Sequence, residues 1–443
     1  MRIRLGIPYY LSEISKAIGG RLNTNDCEIT HITTDTRESE KGDLFIAIDE
    51  GAKYLDDAVS RGSYTLSRYE KASITVNDEV EALLNLATHY AQNLPYILYK
   101  IGITGSVGKT TTKEFLKIIL GERYRVHANE GNYNNQIGLP MSILAAPPDT
   151  QILIMEMGMN HAGEIRRLSG CLRPDIAIIT SIGSAHIGNL GSSKAIAEAK
   201  LEILSGMNGG NLFVPFRERL LQSCSGRITV AFDDLDADYS IISEGDICSL
   251  FSRGEKMFSG FFALPERHHK LSLAFATSIG AYLGLSADEL KIGCSQISTE
   301  NTRQSYIIRK NYQFICDCYN SSYESVIALI DTAKNAVGCG RKSLVLGDIL
   351  ELGCYSEAIH YAVGLNLGST DFNHLFLVGR FSQYVLKGAI RSGFPISRIH
   401  INNEAEDLGT TAKQIEEKCD VGEIIYLKAS RGIRLERILN FFE

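Results

Sequence analysis

The spacing of apolar and polar positions changes character twice along the chain. Over residues 1–97 short alternating stretches mix with helical periodicities, and Pro95, within Asn93-Leu94-Pro95, interrupts the pattern before the next apolar run. From Tyr99 the rhythm becomes that of βα units: an apolar run at 99–103, a glycine-rich turn, then a helical period over 109–120. The runs 151–157 and 175–181 are almost continuously apolar, as expected of parallel strands covered on both faces, and helical patterns at 163–168 and 193–204 accompany them. Between 211 and 264 the pattern predicts shorter strands with acidic turns such as Asp233-Asp234, followed by a helix at 268–283. After about Glu300 the alternation resumes. Strands at 314–318, 343–346, 375–378 and 424–427 and helices at 324–336 and 404–418 read as a separate small parallel α/β unit. The expectation is an α/β chain of three units, 1–97, 98–300 and 301–443.

Composition narrows the classes. Of 443 residues, 44% are hydrophobic and 22% charged, ordinary for a soluble chain with a sizeable core. No apolar run reaches the roughly 20 residues that a bilayer crossing needs, and the stretch 274–285 is broken by Thr277, Ser278 and Gly280. The basic start Met1-Arg2-Ile3-Arg4 leads into an apolar stretch that ends at Ser12-Glu13, too soon for a secretory core, so a cytoplasmic location is expected. Against 45 Lys and Arg stand 52 Asp and Glu, a net charge of −7, and no nucleic-acid partner is expected from that balance. Ten cysteines are too sparse for a disulfide scaffold. Cys316 and Cys318 would share one face of a strand and read as ordinary buried thiols.

The sharpest chemical signal is Thr104-Gly105-Ser106-Val107-Gly108-Lys109-Thr110-Thr111, set between a predicted strand and a predicted helix. Successive backbone N–H groups and a helix N-terminus can surround a polyphosphate there, Lys109 can neutralise its terminal oxygens, and the Thr110 hydroxyl can hold Mg²⁺. Ile103 stands where a strict phosphate-loop pattern has its first glycine. Glu156 ends an apolar run, where open α/β sheets place ligand-binding side chains, and a carboxylate there suits a metal. His186 follows the next predicted strand and is placed to converge on the same crevice. On charge pattern alone, Lys200, flanked by Glu198 and Glu202, reads as part of a solvated helix face.

Three segments in this order resemble the Mur ligase family: the phosphate loop, then Gly131-Asn132-Tyr133-Asn134-Asn135-Gln136-Ile137-Gly138-Leu139-Pro140, then Glu156-Met157-Gly158-Met159-Asn160-His161-Ala162-Gly163-Glu164. His186, Ile187-Gly188, Gly191-Ser192, Ile196-Ala197 and Lys200 resemble the family's second metal and lysine segment. Tyr319-Asn320, Leu346-Gly347-Asp348-Ile349-Leu350-Glu351-Leu352-Gly353 and Lys428-Ala429-Ser430-Arg431-Gly432 are similar to the family member that adds D-alanyl-D-alanine to UDP-N-acetylmuramoyl tripeptide. The resemblance implies a three-domain α/β architecture: an N-terminal UDP-substrate domain, a central P-loop parallel-sheet ATPase domain and a C-terminal Rossmann-like domain. It implies ATP and Mg²⁺ as cofactors, those two substrates, and a monomer. The implied reaction is an ADP-forming ligation through an acyl phosphate, in peptidoglycan precursor synthesis.

The same resemblance implies roles residue by residue. Thr104, Gly105, Ser106, Val107, Gly108, Lys109, Thr110, Thr111, Asn135, Arg303 and Asp317 would contact the nucleotide. Thr110, Glu156 and His186 would ligate metal, with Lys200 carbamylated as an anionic metal-side group. Asp35, Thr36 and Arg37 would serve the UDP substrate, while Tyr319, Asn320, Lys428, Ser430 and Arg431 would serve the substrate and the domain closure surface. The chain departs from the family pattern in four places: a short Gly51-Ala52-Lys53-Tyr54 turn after Ile48; His269 and Ser272 where asparagines are expected; Ser321-Ser322-Tyr323 after Asn320; and Ser181 after Thr180. These changes leave two alternatives open, a relative that amidates a carboxylate lacking UDP and a nucleotide-binding homologue with reduced turnover.

Overall fold

The structure, a computed structural model, describes residues 1–262, 267–298, 305–335 and 340–442. Three sheets follow one another along the chain. The first orders its strands Arg2–Tyr10, Glu28–Thr33, Leu44–Ile46, Tyr64–Ser67, Ile74–Thr75 and Arg21–Leu22. Its inner pairs are parallel and its two outermost pairs antiparallel. Helix Glu79–Gln92, capped by the Asp78 carboxylate accepting from Glu81 N, buries Leu83, Leu86 and Tyr90. Its packing reaches beyond the first sheet to helices Gly138–Leu144 and Glu164–Leu172.

The central sheet has nine strands in the order Glu255–Phe261, Ile247–Ser252, Tyr239–Glu244, Arg227–Phe232, Asn211–Pro215, Ile176–Ile179, Tyr99–Thr104, Ile152–Glu156 and Val126–Ala128. All neighbours from Tyr239–Glu244 onward are parallel, and the first two strands form an antiparallel extension. The chain builds Tyr99–Thr104 first, lays Val126–Ala128 and Ile152–Glu156 on one side of it, then crosses to Ile176–Ile179 on the other. Such a reversal opens a crevice at the carboxyl ends of the strands, and here the phosphate loop leaves Thr104 at that point. Helix Lys109–Gly121 packs Phe115, Leu116 and Ile119 against Phe275 and Ile279 of helix Arg267–Tyr282.

The third sheet orders Ser305–Arg309, Tyr312–Asp317, Ile424–Lys428, Lys342–Gly347, Leu375–Val378 and Ile399–Asn402, parallel except for the first pair. Helices Tyr323–Asn335, Ser356–Leu367, Ser382–Arg391 and Leu408–Lys418 connect or follow its strands. Cys316 and Cys318 pack against one core cluster, and every described cysteine is free. Among the described residues no helix is long and apolar enough to cross a membrane.

Several elements differ from the sequence expectation for identifiable reasons. Helix Gly138–Leu144 is buried at all seven positions, so it carries no amphipathic period. The last helix begins at Leu408 and not at Glu404, because Asp407 caps it through Thr410 N and the Thr410 hydroxyl. The helix over 193–204 ends at Leu201 and tightens into a 3₁₀ segment, Glu202–Gly206.

The first sheet meets the central one almost backbone to backbone. The Tyr90 hydroxyl donates to Ala146 O at 2.5 Å, and a Cβ on Gly6 would stand 1.8 Å from the same carbonyl oxygen. Gly6→Ala is expected to cost about 1–3 kcal/mol by forcing the two backbones apart. Thermal denaturation monitored by circular dichroism checks this, with Gly19→Ala as the comparison, since Gly19 has nothing within 4 Å of a Cβ and its strain is purely local.

Candidate active site

Ile103 pairs with Glu156 on one side of the central strand, and Thr104 with Ile179 on the other. The loop that follows is shaped by its neighbour. Gly105 has no room for a Cβ, which would lie 1.9 Å from the Thr180 hydroxyl oxygen. Gly108 takes a left-handed φ of +86° at the N-terminus of helix Lys109–Gly121. Ser106 N donates to Ser181 O at 3.0 Å and Val107 N to the Ser181 hydroxyl at 2.8 Å. Val107 O accepts from the hydroxyls of Thr180 at 2.6 Å and Ser181 at 3.0 Å, and the Ser106 hydroxyl accepts from Gly183 N at 2.9 Å. Ser181, one of the departures from the family pattern, thus clasps the loop.

Lys109 arches back over the loop, its ammonium donating to Gly105 O at 2.6 Å. One residue on, the Thr110 hydroxyl donates to Glu156 Oε2 at 2.6 Å, while Asn134 Nδ2 donates to Glu156 Oε1 at 2.8 Å. Glu156 is only 1% exposed. Its backbone is held by Asn129, whose side chain accepts from Glu156 N and donates to Glu156 O. A hydroxyl and a carboxylate brought together beside a phosphate-binding loop are the hard oxygen donors that Mg²⁺ takes. Among the described residues no cluster of three or more His, Cys, Asp or Glu could hold a metal ion alone. That donor set fits an ion completed by water and phosphate oxygens, not one caged by protein.

Two cavities share this loop. One is lined by Gly105, Lys109, Asn135, Glu156, His186, Lys200, Tyr319 and Asn320 among others. The second runs along residues 106–111 to Asp317, Asn320, Ser321, Ser322 and Lys428 of the third sheet. Lys200 corrects the solvated-face reading: Glu198 on the same helix is exposed, but Lys200 is 1% exposed. Burial, reinforced by the nearby Lys109 cation, pushes its ammonium well below the usual lysine range. Glu202 turns away to accept from Gly163 N at 2.9 Å, at the N-terminus of helix Glu164–Leu172.

His186 sits in a left-handed conformation, φ +65°, with Nδ1 2.6 Å from Glu351 Oε2 of the third sheet's loop. Asp317 and Lys428 face each other in register and pair at 2.9 Å, with Lys428 also donating to Asn320 O at 2.7 Å. Ser430 accepts from Leu350 N at 2.9 Å, and the Arg431 guanidinium stacks 5.5 Å from the centroid of the Tyr319 ring. Asn135 lines the first cavity but spends its side-chain oxygen on Ile137 N and Gly138 N, capping a helix; its neighbour Asn134 reaches Glu156. Where the family pattern has two asparagines, His269 lines the second cavity and the Ser272 hydroxyl accepts from Thr112.

Asp35, Thr36 and Arg37 line neither cavity. Asp35 accepts from Arg37 N and its guanidinium, which holds the Asp35 carboxyl well below the usual range, and the Arg37 side chain is 86% exposed. Arg303 lies outside the described residues. Asn129, Asn134, Glu324 and Glu351 are site residues that the motif reading did not single out, although Asn134 and Glu351 lie inside the quoted segments.

Residues 103–247 match the model of the Mur ligase middle domain. The chain is 34% identical over 97% of its length, and 97% of the relative's, to the UDP-N-acetylmuramoyl-tripeptide–D-alanyl-D-alanine ligase of Bacillus subtilis (strain 168). It is 31% identical to the ligase of the same name from Treponema pallidum (strain Nichols), covering 92% of each chain. The chain belongs to the Mur ligase family. A MurF crystal structure from Acinetobacter baumannii superimposes with a TM-score of 0.87 at 25% identity, covering 99% of this chain and 100% of that one. The MurF ligase of Thermotoga maritima in complex with ADP has the same fold, with a TM-score of 0.80 at 24% identity over 93% and 96% of the two chains. The three sheets described above are the three-domain architecture of that family.

Because the Ser181 hydroxyl accepts from Val107 N and donates to Val107 O, Ser181→Ala is expected to weaken ADP binding about fivefold or more, the worth of one to two hydrogen bonds. Gly105→Ala, which drives a carbon into Thr180, should weaken it by roughly tenfold or more. Titration calorimetry with ADP measures both, and equal affinities in the three proteins would refute this account of the loop.

Proposed function

We propose that the chain is an ATP-dependent, ADP-forming ligase that joins D-alanyl-D-alanine to UDP-N-acetylmuramoyl tripeptide in peptidoglycan precursor synthesis. The observation that carries this reading is the convergence of Lys109, Glu156, His186 and Lys200 on one cleft, in a chain whose full-length relatives bear that ligase's name. We take 1–97 as the UDP-substrate domain, 98–300 as the ATPase and 301–443 as the domain that admits the incoming amine, acting as a cytoplasmic monomer.

The tripeptide's terminal carboxylate attacks the γ-phosphorus of ATP, forming a C–O–P bond and releasing ADP. The dipeptide's amino group then attacks the acyl carbon, forming the amide and expelling phosphate. Two anions must approach, so positioning and charge neutralisation dominate over any protein nucleophile. Lys109 supplies one positive charge at the phosphates and leaves Gly105 O to do so. Thr110 and Glu156, with His186, would hold Mg²⁺, which when bound supplies further neutralisation between phosphate and carboxylate. Burial lowers the Lys200 ammonium and so favours the free amine that would add to CO₂; the N–C bond would form, one proton would leave, and the product would be a carbamate anion at the wall of the same cleft. Asp317, Asn320 and Lys428 close the nucleotide side, and Asp35, Thr36 and Arg37 would bind the UDP portion.

The direct test incubates the chain with MgATP, UDP-N-acetylmuramoyl tripeptide and D-alanyl-D-alanine and follows phosphate release and product mass together. Phosphate that depends on both substrates, with a mass gain of one dipeptide minus water, is the expected outcome; ATP binding without product refutes the substrate pair. Lys109→Ala should lower kcat by about 10²–10³-fold with the melting profile unchanged. Lys200→Ala should lose activity that small carboxylates partly restore, whereas a wild-type rate would remove the carbamate from the mechanism.

A further inference from the structure

Two non-glycine residues in the left-handed backbone region, His186 at φ +65° and Glu351 at φ +62°, meet where the central and third sheets touch. Such conformations are strained for residues with a Cβ and persist where the surroundings impose them. The surroundings here are a close backbone contact. Gly188 N donates to Glu351 O at 3.0 Å, and a Cβ on Gly188 would lie 2.5 Å from Gly353 N. On the other side, a Cβ on Gly353 would come within 3.0 Å of Gly188 Cα. The Tyr355 hydroxyl adds a bond to Gly191 O at 2.7 Å. Upstream, Ser184 donates through N and Oγ to the two oxygens of Glu324, at 2.8 and 3.0 Å. The segment that carries His186 is therefore gripped from the third sheet at both ends, and the 2.6 Å contact between His186 Nδ1 and Glu351 Oε2 lies within that grip.

We infer that Glu351 is a positioning residue of the ligase: its carboxylate orients His186, so the histidine is presented to the cleft only while the third sheet is docked on the central one. A carboxylate set against one ring nitrogen fixes the orientation of the imidazole, as the outer partners of metal-binding histidines do. Here the partner comes from a different domain, so domain docking and site assembly become one event. The inference rests on the ligase reading for its effect on turnover, while the contact itself is read independently.

The test uses the full chain and three variants. Glu351→Gly removes the carboxylate and relieves the backbone strain at the same position, and Tyr355→Phe removes only the outer hydrogen bond. Amide hydrogen exchange over 183–191 is measured with and without MgADP, and the Mg²⁺ concentration for half-maximal turnover is measured at saturating ATP. Glu351→Gly is expected to speed exchange of this segment about tenfold and to raise the Mg²⁺ requirement about 10–100-fold, with the KM for ATP at high Mg²⁺ changed less than twofold. Glu351→Gln, which keeps an acceptor oxygen, should recover part of both losses, and Tyr355→Phe should speed exchange to a smaller extent. Wild-type exchange and Mg²⁺ requirement in Glu351→Gly would overturn the inference. If the wild-type chain proves to have no ligase turnover, the exchange of 183–191 in Glu351→Gly with MgADP still decides whether Glu351 holds the segment.

Discussion

A carboxylate buried at the end of a parallel strand has to be satisfied where it stands, and Glu156 imposes that demand on the whole crevice. The Thr110 hydroxyl meets one oxygen and Asn134 the other, while Asn129 binds the backbone on either side of the residue. Meeting the demand aligns the phosphate loop with the neighbouring strand end. Thr110 can reach Glu156 only if the helix after the loop starts at Lys109, and that start needs the left-handed turn at Gly108. The loop is then locked from the far side by Thr180 and Ser181. One buried acid therefore ties together the strand order, the glycine positions and the start of the helix after the loop.

The third sheet completes the site in a different manner. Its contribution comes from residues that are busy with one another: Asp317 with Lys428, Ser430 with Leu350 N, Arg431 with Tyr319. Lys428 is almost fully buried and bridges two adjacent strand ends, so its charge shapes the floor of the second cavity and is already balanced there by Asp317. This division assigns the strongly charged chemistry to the central sheet and the shaping of the cavity to the third.

Much of this was legible in the residues because the chemistry depends on local order. A Gly-Lys-Thr triplet between strand and helix can hardly do anything else, and the segment from Glu156 to Glu164 keeps its carboxylate at a strand end. Other features were not legible. Asn134 and Asn135 are adjacent and chemically identical, and only the turn geometry decides that one meets Glu156 while the other caps a helix. Lys200 lies among acids in sequence, yet the helix turns it inward and leaves Glu198 outside. The fully buried helix Gly138–Leu144 has no polar face to mark its period. The Glu351 contact joins residues far apart in the chain, and no residue type announces a left-handed glutamate.

The contact of Tyr90 with Ala146 belongs to a larger continuity. A single cluster of buried apolar side chains runs from Leu83 and Tyr90 through Leu139 and Ile165 to Leu346 and Val363, and so touches all three sheets. The three units share that cluster, while the central and third sheets each bury a further cluster of their own. Melting any one of them uncovers apolar surface on its neighbour, and that exposed surface weakens the neighbour in turn. Cooperativity in this chain therefore follows the shared interior and not the sheet count, and damage at a seam between sheets spreads further through the molecule than equal damage at an outer edge.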